Sequence, residues 1–393
     1  MIEQVKGTRN IHSQDAQVYL FILNTFLNTF NSFGYEYTEL PIIEHKELFT
    51  KSIGESSEIV TKQMYEFIDK GDRELVLRPE GTASVVRFHN EFYKNDSKKY
   101  SYFGKMYRYE NPQKNRYREF HQAGAEIIGT IDIFSDLQII QSSIRFLNSL
   151  GIKADLHINS IGTIDDRSKY VSELLDYLLA NKENLSKDSQ DKLENNTLRV
   201  LDSNNPEDKD VINNAPSILG YLNDDSANNY LHVKNELDSL GVQYKEDSNL
   251  VRGLDYYNDL TFEFKVNGLA VGGGGRYDKL SQILKLGNSE GVGVAFGVDR
   301  LMSLISNDVG KETKISLIGS TVRTIDEISS ELINNNINHI VPIRLSKENT
   351  QYKNAVNNKS DIVINCNERT IKLINSKETF PYNIDTLRDL IWK

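Results

Sequence analysis

The chain has 393 residues, 38% hydrophobic and 26% charged, a balance that fits two or three globular domains and excludes a disordered chain. Its formal charge of −10 excludes a general nucleic-acid coat, which rests on phosphate neutralisation, and leaves room only for a local basic patch. A single cysteine, Cys366, excludes an internal disulfide and a cysteine-rich zinc site; with no apolar leader and no apolar run long enough to span a bilayer, a soluble cytoplasmic protein without membrane contact is expected.

The histidines form no His-x-x-x-His pair, so no metal cage of protein side chains is expected. Residues 14–33 place Ala16, Tyr19, Leu20, Leu23, Leu27 and Phe30 at helical spacing, and Gly34 suits the cap that ends such a helix. The next stretch, YEYTELPIIE, reads as extended, since Pro41 rules out helix. ELVL at 74–77 reads as a strand, RPEGT as its exit, and ASVVRFHNEF as a helix.

Residues 100–129 predict an antiparallel hairpin with the loop NPQKNRY. Alternation sets Met106, Arg108 and Glu110 on one face of its first strand, and Gln122, Gly124 and Glu126 on one face of its second. Polar groups then stand where a core stripe belongs, the pattern of a sheet face that binds something. Residues 165–245 read as polar helical pieces inserted between two halves of one sheet. The sheet resumes at 250, turns at VNG (266–268) and runs through LAVGGGGRYDKL and GVGVAFGVDRLMSLI, a glycine-rich strand entering a helix. ISNDVGKETK (305–314) reads as a linker. Beyond it KISLIGS, TIDEISSELINNN, HIVPIRL, KENTQYKNAV, SDIVINC, RTIKLIN and IDTLRDLIWK alternate strand and helix, predicting a small α/β domain.

Each polar feature has a plain reading beside a chemical one. The glycines 272–275 match no P-loop, because Arg276-Tyr277 follows where Lys and Ser/Thr are required, and no Rossmann fingerprint; they fit a strand closely approached by backbone or ligand. In Arg78-Pro79-Glu80-Gly81-Thr82, Thr82 reads as the helix cap, while Glu80 serves the helix dipole or binds an ammonium group. Arg108, Gln122 and Glu126 share the hairpin, as a solvated face with an Arg–Glu pair or as a site. Lys114, Arg116 and Arg118 make a small basic cluster in its loop. Arg300 follows small residues at a helix entry, where an arginine reaches a phosphate or where helix and sheet simply pack closely. Finally, LVRGLDYYNDLTFEF (250–264) ends as a strand yet gathers Arg252, Asp255, Tyr256 and Tyr257.

In this order the pieces resemble the class II aminoacyl-tRNA synthetases, and among them the histidyl-tRNA synthetase family, over roughly residues 1–305. RYENPQKNRYREF resembles motif 2, GVGVAFGVDRL motif 3, and the first helix with GYEYTELPIIE motif 1. LVRGLDYY and GGGGRYDKL resemble two histidine-specific signatures; TLRVLDS and NNAPSILGYL resemble the family's insertion. The resemblance implies an α+β catalytic domain on an antiparallel sheet (1–310), with a helical insertion at about 165–245, and an anticodon-binding α/β domain at 314–393. It implies a homodimer joined through motif 1. The implied reaction converts L-histidine and ATP to histidyl-adenylate and then transfers histidine to the 3′ end of tRNA(His).

By the same resemblance, Arg108 and Arg252 hold the α-phosphate from opposite sides and Arg300 contacts the γ-phosphate, with Glu110 and Arg116 completing the ATP site. Glu80 and Thr82 bind the substrate's ammonium with Gln122 nearby; Glu126 and Tyr257, with Tyr256, hold the imidazole. Mg²⁺ accompanies ATP, held mostly by phosphates and water. Gln113, Lys114 and Arg118 steer the tRNA acceptor end. Two features depart from the pattern. Asn111 stands where the family commonly has arginine, which bears on how the 5′ end of the tRNA is read, and the tail is short for the family's anticodon domain. The alternative on the same fold is a regulatory histidine-binding paralogue, a subunit of an ATP phosphoribosyltransferase. Such paralogues tend to lose the active-site arginines and the C-terminal domain, whereas Arg108, Arg252, Arg300 and a tail are present here.

Overall fold

The computed structural model describes residues 2–55, 57–111, 116–193, 197–203, 205–251, 254–306 and 313–391. These fall in two units, Met1–Val309 and Gly310–Lys393. Arg252, Gln113 and Lys114, singled out above, lie outside the described residues, as does most of the expected linker.

In the first unit the strands are β1 Glu36–Tyr37, β2 Ile43–His45, β3 Tyr65–Ile68, β4 Glu74–Leu77, β5 Lys98–Tyr107, β6 Glu119–Gly129, β7 Asp155–Ser160, β8 Lys245–Glu246, β9 Asn258–Val266, β10 Leu269–Arg276 and β11 Glu290–Gly297. A small antiparallel sheet has the order β2-β4-β3, and a larger one the order β1-β5-β6-β11-β10-β9-β7-β8. The six central strands of the larger sheet pair antiparallel. Only the short edges β1 and β8 run parallel to their neighbours. The hairpin expected at 100–129 is β5–β6, and Asn267 and Gly268, both at positive φ, turn β9 into β10.

Alternation along each strand sorts the two faces of the sheet. Phe103, Ala123, Ala125, Phe262, Phe264, Val292, Val294 and Phe296 join the core beneath the helices Ser13–Ser32, Ile133–Ser149 and Asp224–Ser239. Their neighbours in sequence, including Tyr102, Gln122, Gly124, Glu126, Thr261, Gly293 and Ala295, belong to the opposite face. The helix Ser13–Ser32 buries Val18, Ile22, Phe26 and Phe30, while Leu20 is 51% exposed. That stripe is rotated from the one read in sequence, because apolar residues ring most of this helix and the phenylalanine contacts decide which side turns inward. The span read as an insertion is split in the same way. The helix Ile164–Ala180, the short helix Lys209–Asn213, and Leu185 and Leu193 on either side of the helix Lys187–Lys192 pack with the cavity-side core, whereas Asp224–Ser239 packs into the helical layer through Tyr230, Val233 and Leu237.

The second unit holds β12 Ile315–Ile318, β13 Ile362–Asn365, β14 Thr370–Leu373 and β15 Thr379–Pro381 in that sheet order. The helices Val322–Asn334 and Ile384–Ile391 close a core around Leu332, Ile364 and Leu387. HIVPIRL, expected as a strand, is not one: a single bridge joins Ile340 to Ser316. Pro342 lacks the N–H that the ladder would need next. Among the described residues no helix is long and apolar enough to cross a membrane.

Close strand packing makes a sharp prediction at Gly274. A Cβ there would overlap the carbonyl of Gly293 on β11. Gly274→Ala is expected to cost about 1–3 kcal/mol in urea unfolding. Gly220→Ala, which faces open space, serves as the near-neutral control.

Candidate active site

A cavity of about 420 Å³ opens on the polar face of the large sheet. Its wall is assembled from residues far apart in the chain: Glu80 and Thr82 from the loop and helix after β4, Arg108 and Glu110 after β5, Gln122 on β6, Tyr256 and Tyr257 before β9, and Arg300 after β11. Arg116 also lines it. The sheet brings these together because β5, β6, β11, β10 and β9 are neighbours in space.

The strand-to-helix turn at 78–82 works differently from the expectation. Thr82 does not cap its helix. The Glu80 carboxylate does so, accepting from the backbone N–H of Thr82 at 2.6 Å and of Ala83 at 2.9 Å. Thr82 is thereby free to donate its hydroxyl to Glu126 Oε1 at 2.8 Å. Burial pushes the Glu80 carboxyl up, against the pull of those N–H groups and of the Arg108 guanidinium.

Glu126 is the buried pivot behind the wall. Its Oε1 accepts from Thr82 and from the Tyr102 hydroxyl at 3.3 Å, and its Oε2 accepts from the Tyr277 hydroxyl at 2.7 Å. It is 1% exposed and is not among the residues lining the cavity, whereas Tyr102 is. Burial pushes its carboxyl up to about 8 even though the three hydroxyl donors favour the ionised form. Tyr256 contacts the rings of Tyr257 and Tyr277 at centroid distances of 4.7 and 5.9 Å. Its hydroxyl is buried with no hydrogen-bond partner among the described residues, which leaves a donor for a bound molecule.

The cations are oriented through backbone and rings. Arg108 Nε donates to the Pro79 carbonyl at 2.9 Å, and its guanidinium lies over Phe120 at 5.4 Å. Burial lowers its pKa, opposed by Glu110 and Glu80. Arg300 donates to the Ala270 carbonyl at 2.6 Å. Beside it, buried Asp299 binds Arg9 at 2.5 Å and accepts from the His121 backbone N–H at 2.9 Å. Arg118 lies elsewhere: its guanidinium stacks on Tyr109 at 3.7 Å and its Nε donates to the Glu110 carbonyl.

Sequence reading missed Tyr102, Tyr277, Arg9 and Asp299. Tyr277 stands inside the quoted GGGGRYDKL, where it served only to exclude a P-loop and drew no role of its own. Nothing local marks Arg9, whose partner lies 290 positions away.

An antiparallel sheet carrying arginines, carboxylates and tyrosines on one face, entered by three widely separated motifs, defines a class II aminoacyl-tRNA synthetase. Residues 7–301 match the family model described as "Histidyl-tRNA synthetase". The chain belongs to the histidyl-tRNA synthetase family and is an aminoacyl-tRNA ligase specific for histidine; the regulatory paralogue is not favoured. It is 43% identical over 314 residues to the histidine–tRNA ligase of Streptococcus thermophilus strain CNRZ 1066, covering 77% of this chain and 74% of that one. Among solved structures it is similar to an apo histidyl-tRNA synthetase of S. aureus, with a TM-score of 0.72, 29% identity and 100% of both chains covered. It is also similar to an ATP phosphoribosyltransferase regulatory subunit/histidyl-tRNA synthetase from Bacillus halodurans, with a TM-score of 0.69 over 93% of this chain and 98% of that one. At 21% identity the latter likeness speaks for the fold alone.

The buried carboxyl gives a pH prediction. Unfolded, Glu126 titrates near 4.5; folded, at about 8. The native state therefore holds this proton more tightly. The stabilisation is complete below pH 4.5 and is lost as pH rises through about 8. From pH 7 to 9 the ligand-free protein is expected to lose stability on the order of 1 kcal/mol through this group. Glu126→Gln, which cannot ionise, is expected to flatten that part of the thermal-stability profile. Equal slopes in the two proteins contradict the assignment.

Proposed function

We propose that the cavity activates histidine by in-line attack on ATP and then hands it to tRNA(His), with the residues in the following roles. The histidine carboxylate is already ionised at neutral pH, so no general base is needed. One carboxylate oxygen attacks the α-phosphorus while its bond to pyrophosphate breaks. The task left to the protein is alignment and cancellation of phosphate charge. Arg108 holds the α-phosphate and Arg300 the γ-phosphate, as fixed charges suited to bidentate phosphate contact; Glu110 and Arg116 complete the ATP site. Arg252, carried by resemblance alone, takes the α-phosphate from the other side.

Glu80 and Thr82 receive the ammonium group, with Gln122 beside them, and Tyr256 and Tyr257 read the imidazole nitrogens, with Glu126 buried behind them. A pocket that hydrogen-bonds its substrate discriminates against analogues lacking the partner by roughly 10⁴-fold or more. Hard cations take oxygen ligands, and Glu110 and Glu263 supply carboxylates on the wall. Mg²⁺ held by the ATP phosphates, water and these groups would neutralise phosphate charge. In the second step a ribose hydroxyl of the terminal adenosine attacks the adenylate carbonyl and AMP leaves. Gln113, Lys114 and Arg118 steer the acceptor end, and residues 314–393 read the anticodon. The protein works in the cytoplasm as a homodimer joined through motif 1.

What supports this reading most is that Arg108 and Arg300, 192 positions apart in the sequence, line one cavity with Glu80, Thr82, Gln122, Tyr256 and Tyr257. The test is histidine-dependent ATP–pyrophosphate exchange. Wild-type protein is expected to be active, and Arg108→Ala to lose about 10²–10³ in kcat/KM; a folded wild-type protein without exchange sinks the reading. Removal of residues 314–393 is expected to lower tRNA charging far more than exchange. Undiminished charging would refute the anticodon role.

A further inference from the structure

The loop that carries Tyr256 and Tyr257 is held from outside the sheet. Strand β7 runs antiparallel to β9, with Ser160 opposite Leu260. The chain leaves β7 through Gly162, at positive φ, and enters the helix Ile164–Ala180. Gly162 and Asp259 stay bonded, Asp259 N–H to the Gly162 carbonyl at 2.9 Å. A capping box between Thr163 and Asp166 then fixes where the helix starts, and Asn223 donates to the same Asp166 carboxylate at 2.6 Å. Arg167 follows directly, one turn into the helix and beside the entry to β9.

From there one guanidinium nitrogen, Nη1, donates to the carbonyl of Tyr257 at 3.1 Å and of Asp255 at 3.3 Å. These carbonyls bracket Tyr256 and Tyr257 and stand just ahead of Asn258, where the sheet ladder begins. Holding both restricts the backbone dihedrals of the two tyrosines. A buried carbonyl also needs a partner, and Tyr257 is buried. The neighbouring Asp255 carboxylate is wedged against Gly54, where a Cβ would overlap it. Desolvation by its surroundings pushes that carboxyl up although the residue as a whole is exposed, while Arg167 and Arg199, both from the helical insertion, pull it down. Asp255 thus faces the insertion, and the tyrosines after it face the cavity.

We propose that Arg167 is a positioning residue for histidine recognition: by clamping the carbonyls of Asp255 and Tyr257 it sets where the two tyrosine side chains stand in the cavity. The proposal rests on the reading of Tyr256 and Tyr257 as imidazole contacts. Arg167 touches no substrate itself.

The test compares wild type, Arg167→Met, which keeps the apolar stem and the helix, and Arg167→Lys, which keeps a charge and donors. Histidine binding is measured by calorimetry, and the KM values for histidine and ATP by exchange. A displacement of this kind is expected to weaken histidine binding and raise its KM about 10- to 100-fold in Arg167→Met. The KM for ATP should move by less than about threefold, and Arg167→Lys should fall between the two proteins. If wild type binds no histidine, the reading of the site falls and the clamp with it. If wild type binds histidine and Arg167→Met binds it as tightly, the clamp alone falls. A parallel rise of both KM values in Arg167→Met also overturns it, since a merely structural arginine would disturb both substrates alike.

Discussion

The carboxylate of Glu126 has room only because Gly293, on the next strand, has no side chain. Everything on the polar face of the sheet is arranged around that constraint. The carboxylate must be satisfied where water does not reach, and three hydroxyl groups from β5, from the helix after β4 and from the end of β10 converge on it. One of them, Tyr102, needs further space: a Cβ on Gly81 or on Gly124 would overlap its ring. Glycine weakens a strand, so Gly124 and Gly293 trade sheet stability for a polar interior. Such an interior is stable only when every member of its network is satisfied.

The same economy governs the charges. Arg108 is oriented through a carbonyl and a phenyl ring, groups that direct a guanidinium without cancelling its charge as a carboxylate would. Glu80 spends both its oxygens on the N-terminus of a helix, so its position is set by backbone and not by a rotamer choice. The result is a cavity whose polar groups are placed before any substrate arrives. That is the arrangement electrostatic catalysis requires, since little reorganisation is left for the reaction itself.

Much of the sheet was legible because its period is short. In β11 residues alternate so strictly between apolar and small that each face can be read directly, and its partner β6 follows from it. The first helix was less legible, since its apolar residues surround it and only the packing of Phe26 and Phe30 selects a side. HIVPIRL carries a strand's composition, but one proline denies it a ladder. In the site, residue types pointed to the right elements while their partnerships stayed hidden. Thr82 lost the cap expected of it and Glu80 kept the helix-end place that was one of its two readings, because a carboxylate two residues before the helix reaches two N–H groups where a hydroxyl would reach one. Arg9 and Arg167 could not be found at all. Their partners lie 290 and about 90 positions away, and no local pattern encodes such a distance.

The pairing of Arg9 with Asp299 also bears on how the molecule comes into being. Arg9 is synthesised 290 positions ahead of the carboxylate that anchors it, which follows β11 near the close of the first unit. β11 itself is inserted between β6 and β10 in the middle of the sheet. A nascent chain ending before it lacks the central strand, Gly293 beside Glu126 and the partner of Arg9. Contacts of such long sequence separation form late and slowly. Without β11 the cavity lacks its middle strand, and the edges of β6 and β10 that it covers are surfaces in need of protection from other chains.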